Sequence, residues 1–113
     1  MKKEVKEKRT DGLKITNQLR SRNGFVYDLQ CDSGKVILAI TPREKPSDPG
    51  DWSVEARTSS QDPAPIVAWG ATRRDALRET GIAWIANARA RALPTFDWEG
   101  IAELLAVVRA IED

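Results

Sequence analysis

The chain has 113 residues, with 18 lysines and arginines against 17 aspartates and glutamates, no histidine, one cysteine and 41% hydrophobic residues, a size and balance that fit one ordinary globular domain. Lacking histidine and holding only Cys31, it excludes a histidine-based triad, a zinc site of the usual Cys/His kinds and an intramolecular disulfide. A net charge of +1 gives no bulk attraction to nucleic acid or membrane, so any electrostatic role must come from local sorting of charge.

Residues 1–12 read as a flexible charged arm: Lys2, Lys3, Lys6, Lys8 and Arg9 with Glu4, Glu7 and Asp11 leave little to bury. No apolar leader follows this charged start, and the longest apolar runs, Val36 to Ile40 and Ile66 to Trp69, are strand-length, far short of the ~18 residues that span a bilayer. The expectation is a cytoplasmic protein without membrane contact, metal or cofactor.

Residues 13–113 read as a single domain. Leu13, Ile15 and Leu19 share one parity, as do Phe25, Tyr27, Leu29 and Cys31 after Asn23-Gly24, which predicts a β-hairpin. A two-residue Asn-Gly turn would set Arg20 and Arg22 among the apolar side chains. A three-residue Arg22-Asn23-Gly24 loop instead pairs Leu19 with Tyr27 and Ile15 with Cys31. At the next turn a Ser33-Gly34 loop pairs Cys31 with Val36, Leu29 with Leu38 and Tyr27 with Ile40, extending the apolar face across a third strand. The opposite face carries Lys14, Thr16, Gln18, Arg20, Val26, Asp28, Gln30, Ile37, Ala39 and Thr41, a mixed surface open to water or a partner.

Pro42 to Asp51, with three prolines, reads as a long mobile connection that no strand or helix uses. Trp52 to Arg57 alternates as a fourth strand with Trp52, Val54 and Ala56 inward, and Ile66 to Trp69 makes a fifth whose parity is open. Thr72 with Asp75 resembles a capping box, predicting a helix from Arg73 to Ala92 with Leu77, Gly81, Trp84, Ile85, Ala88 and Ala92 on the buried stripe. Gly81 and Ala88 would let that helix lie close to the sheet. Leu93-Pro94-Thr95 stops it. Asp97 can cap a second helix from Trp98 to about Glu112, with Phe96 and Ile101 as a hydrophobic staple. The predicted fold is α+β: a five-stranded antiparallel meander sheet with two antiparallel C-terminal helices packed on one face, in two layers.

Each reactive group has a plain structural role. Cys31 reads as a small buried hydrophobe, and Asp28 and Glu55 sit on strands separated by a third, so no catalytic residue is expected. Gly70-Ala71-Thr72 before a helix start, with Arg73 and Arg74, offers backbone amides to an anion, but the P-loop string is absent and an ordinary strand-to-helix turn accounts for it. Ile66 to Leu77, through Gly70, Thr72, Asp75, Ala76 and Leu77, resembles the strand-to-helix junction of HicB-type antitoxins and similar small β-β-β-α modules. The resemblance covers about a dozen residues. Five strands and a second helix depart from that plan, and no function is carried over from it.

Charge is sorted between the helices. Residues 72–92 hold five arginines against two acids, net +3, and residues 97–113 hold one arginine against five acids, net −4. The leading expectation is a non-enzymatic interaction or regulatory module, a homodimer or a subunit of a larger assembly. Its interface residues would be Val26, Ile37 and Ala39 at the centre of the open sheet face and Leu104, Val107 and Ile111 on the last helix. The rival is a nucleic-acid-binding protein using Lys14, Arg20 and Arg57 on that open face, or Arg78 and Arg89 on the first helix. With Phe25, Tyr27 and Trp52 assigned to the buried face, the open face offers bases no stacking surface.

Overall fold

A computed structural model describes residues 12–21, 24–47 and 50–111. Apart from Gly12, the expected charged arm lies outside them. The described chain forms β1 (Lys14–Ser21), β2 (Gly24–Cys31), β3 (Gly34–Ser47), β4 (Gly50–Arg57) and β5 (Ile66–Gly70), then α1 (Arg73–Arg91) and α2 (Trp98–Val107). The strands make one antiparallel sheet in the order β1-β2-β3-β4-β5, so the expected β-β-β-β-β-α-α meander is the observed architecture.

The two-residue period of the strands sorts the side chains by face. Tyr27, Leu29, Val36, Leu38, Ile40, Val54 and Ala56 are buried on the helix side, as their parity predicts. α1 lies over β4 and β5 and contributes Ala76, Leu77 and Trp84 to the core, while α2 adds Trp98, Ile101 and Leu105. Each large aliphatic side chain fully enclosed there, such as Leu38 or Ile40, stabilises the fold by about 1.5–3 kcal/mol. β5, whose parity was open, buries Ile66, Ala68 and Gly70 and turns Val67 and Trp69 to the other face.

Both hairpin registers differ from expectation. The first hairpin closes on a Ser21–Gly24 pair, so Leu19 faces Val26 and Arg20 faces Phe25. A bulge between Ile15 and Asn17 then inverts the parity of β1 and returns Ile15 to Leu29. Leu19 is therefore on the open face and 62% exposed. β1 is an edge strand; Leu13, just before it, and Ile15 within it pack against the core, and the observed register costs the core nothing at Leu19. The second hairpin turns at Asp32-Ser33, two residues from the expected pairing, with Leu29 opposite Val36 and Tyr27 opposite Leu38. An even slip preserves parity, and the apolar face survives it.

Pro42 to Asp51 is no free connection: β3 runs to Ser47 and β4 starts at Gly50, prolonging the β3–β4 hairpin. The prolines favour extended backbone but cannot donate to the ladder, and the register breaks between Pro42 and Ser47.

α1 starts as predicted, with Thr72 Oγ1 accepting from Asp75 N at 3.0 Å. Its buried stripe is rotated from the expected one: Ala76 and Thr80 lie inside, and Ile85 is 64% exposed. The Thr80 hydroxyl lies within hydrogen-bond distance of both Val54 O, at 3.0 Å, and Ala76 O, at 2.9 Å, anchoring this side of the helix to β4. Gly81 meets Trp98 of α2 rather than the sheet. The Asp97 side chain makes no capping bond, although Phe96 and Ile101 are buried as a staple requires. α2 ends at Val107, short of the expected Glu112. Arg109 turns left-handed (φ 63), Ala110 N donates to Leu105 O at 2.9 Å, and Ala110 and Ile111 fold back into the core. Among the described residues no helix is long and apolar enough to cross a membrane.

Candidate interaction surfaces

On α1 the residues Arg74, Arg78, Ile82, Ile85 and Arg89 follow one another at intervals of three or four and share a stripe. The stripe turns away from the sheet: Ile82 is 56% exposed and Arg78 and Arg89 are exposed. On α2 the residues Glu99, Ala102 and Glu103 form the facing row. Because Gly81 has no side chain, Trp98 seats against the α1 backbone and draws the rows to either side of a groove of about 430 Å³. Arg74 and Arg78 line one wall and Glu99 and Glu103 the other, with Gly81, Ile82, Ile85, Trp98 and Ala102 between them. No ion pair joins these walls among the described residues. The Trp98 indole N–H, at the edge of the aromatic cluster with Trp84 and Phe96, is buried without an acceptor, a cost of about 1–3 kcal/mol for a buried donor.

The open sheet face is the second surface. One row runs Leu19, Val26, Ala39, Glu55, Val67 across the five strands, and the next runs Asn17, Asp28, Ile37, Arg57. Val26, Ile37 and Ala39 are half-buried at its centre, with Leu19 at one edge and Trp69, 40% exposed, at the other. Glu55 and Arg57 interrupt the apolar band with an ion pair of 2.6 Å.

The three basic residues expected together on this face are separated. Lys14 is there, opposite Gln30, but Arg57 is engaged by Glu55 and donates to Asp62 O at 2.9 Å. Arg20 is on the helix side, because the Ser21–Gly24 closure pairs it with Phe25, and its guanidinium stacks over Phe25 at 5.2 Å from the ring centre. Arg73 stacks likewise over Trp52 at 5.2 Å, and Phe25 stacks on Tyr27. These arginine–aromatic pairs flank the end of the core where Ile40 is fully buried. Burial raises the Tyr27 hydroxyl's pKa, and the positive charges of Arg20 and Arg73 partly offset the rise.

Arg78 and Arg89 do share one exposed stripe, about 16 Å apart along the helix. Of the expected interface residues on α2, Val107 is 78% exposed and Leu104 half-buried, but Ile111 is fully buried by the turn after Val108 and is not available to a partner. At the Gly70 turn a Cβ would lie 2.4 Å from Ala76 N, so a glycine there lets the end of β5 lie close against the first turn of α1.

Helical periodicity alone puts Ile85 on the stripe that faces the sheet, and so conceals the groove. The available signal was the position of Ile82 and Ile85 in the same stripe as three arginines, an unlikely composition for a face that packs on a sheet. No family model matches this chain, and neither a curated protein nor a solved structure does.

Proposed function

We propose that this protein is a small non-enzymatic interaction or regulatory module that acts by associating with itself. The observation that carries the reading is the exposure of Ile82 and Ile85, 56% and 64%, between two charged rows that leave each other unpaired. Apolar side chains grouped on a helix surface and rimmed by charge are the composition of a contact patch. The open sheet face, with Val26, Ile37 and Ala39, remains a surface for a further protein partner. A single cysteine suits the reducing cytoplasm, where this reading places the chain.

Light scattering over a micromolar concentration series tests the reading. The expected mass rises toward twice the 12.6 kDa of one chain, and a constant single-chain mass throughout would overturn it.

A second reading rests on Arg74, Arg78 and Arg89 along one side of α1, which would meet nucleic-acid phosphates. It predicts oligonucleotide binding that weakens steeply with salt, and absence of binding at low salt removes it. Glu99 and Glu103 across the groove disfavour this reading, because they would repel the same phosphates.

A further inference from the structure

The groove between α1 and α2 carries both signs of charge, and their arrangement specifies an occupant. Its α1 wall is basic through Arg74 and Arg78, its α2 wall acidic through Glu99 and Glu103, and Ile82, Ile85, Trp98 and Ala102 lie between. A uniformly anionic ligand meets repulsion from one wall and a uniformly cationic one from the other. A surface with the same two rows in opposite order satisfies both, and a two-fold rotation of this groove generates that order.

We infer that the groove is an isologous docking site for a second copy of this chain, with Arg74 and Arg78 of each protomer facing Glu99 and Glu103 of the other. This inference rests on the self-association proposed above and names its surface. About the two-fold axis each ion-pair set occurs twice, and Ile82 and Ile85 of each protomer enter the apolar strip of the other. The net charges of the helices themselves, +3 over α1 (Arg73–Arg91) and −2 over α2 (Trp98–Val107), favour the same opposed placement at longer range. The sheet lies on the far side of α1 from this stripe, so both open sheet faces point outward in the dimer and remain accessible.

A charge-exchange experiment tests the geometry. The double variants R74E/R78E and E99K/E103K each place like charges across both halves of the interface, and each is expected to raise the dimer dissociation constant on the order of 100-fold. Mixed in equal amounts, the two variants restore opposite charges in both halves and are expected to form a heterodimer, read by light scattering and by native mass spectrometry. The variant I85D is expected to be monomeric with unchanged circular dichroism, since Ile85 is mostly exposed. The control L19D, on the sheet face, should dimerise normally.

If wild type dimerises while R74E/R78E, E99K/E103K and I85D all dimerise equally well, the groove is not the interface, and self-association stands without it. If the charge variants become monomeric but their mixture forms no heterodimer, the two-fold pairing is overturned. A monomeric wild type removes self-association and this site together.

Discussion

A Cβ placed on Gly81 would come within 2.8 Å of Trp98 Cγ and 2.9 Å of Trp98 Cβ. Glycine within a helix ordinarily costs about 1 kcal/mol relative to alanine, so Gly81→Ala would stabilise an isolated α1. Here the added methyl collides with an indole held between Trp84 and Phe96. The expected outcome is net destabilisation by about 1–3 kcal/mol, read as a lower urea midpoint with an unchanged slope.

Two helix ends point to the opposite response. Ala92 (φ 55) and Arg109 (φ 63) hold left-handed backbone just past α1 and α2. In both places the next residue's amide reaches back, Leu93 N to Ala88 O and Ala110 N to Leu105 O, each at 2.9 Å. A side chain in this conformation costs about 1 kcal/mol that glycine avoids. Ala92→Gly and Arg109→Gly are each expected to raise stability by about 0.5–1 kcal/mol, measured by urea denaturation.

Asp62 organises the β4–β5 loop. Its carboxylate accepts from Ala64 N at 2.9 Å and from Thr58 N and Oγ1 at 3.1 and 3.2 Å, and Arg91 lies 3.6 Å away. The Ala64 and Thr58 amides are the main cause of a carboxyl pKa below the ordinary value, with smaller help from the Thr58 hydroxyl and Arg91. A lowered folded-state pKa means that the stabilisation is complete above the unfolded carboxyl pKa and is lost as pH falls through the folded one. Asp62→Ala is expected to cost about 1–3 kcal/mol at neutral pH. In urea titrations run at successively lower pH, the gap from wild type should narrow on the acid side of the ordinary carboxylate range.

Tyr27 is the one tyrosine in the chain, so its ionisation can be followed directly by ultraviolet absorbance. Burial raises its pKa and the charges of Arg20 and Arg73 oppose the rise. The folded protein should therefore titrate above the ordinary tyrosine value of about 10, and Arg20→Ala should move the midpoint further up. Since the unfolded chain ionises first, stability should fall as pH rises through the unfolded tyrosine pKa and level off above the folded one. An Arg20→Ala midpoint equal to or below that of wild type would contradict this account.

The fold was largely legible because its core positions alternate in β2, β3 and β4 and cluster in the helices. Tyr27, Leu29, Val36, Leu38 and Ile40 occupy the face their parity predicts even though the second turn lies elsewhere, since an even slip leaves every side chain on its own side. Leu19 departs from its predicted face for the converse reason: the bulge near Thr16 changes parity by one, and no residue type in that stretch marks it. Pro42 and Pro46 signalled an interruption of the ladder and not the end of the strand. On α1, Ile85 fits an apolar stripe as well as Ala76 and Thr80 do, and only the placement of the helix over β4 and β5 chooses between them.

Composition and spacing by themselves determined the element order, the apolar face of the sheet and the lack of histidine-based chemistry, because these follow from periodicity and residue inventory. The tertiary structure alone decided what each arginine meets. Arg20 joined Phe25, Arg57 was taken by Glu55, and Arg74 and Arg78 came to face Glu99 and Glu103. The physical reason is that local periodicity fixes which residues share one face of an element but not what that face meets; that is set by how β1 pairs with β2, and by a glycine that lets one tryptophan bring two helices together.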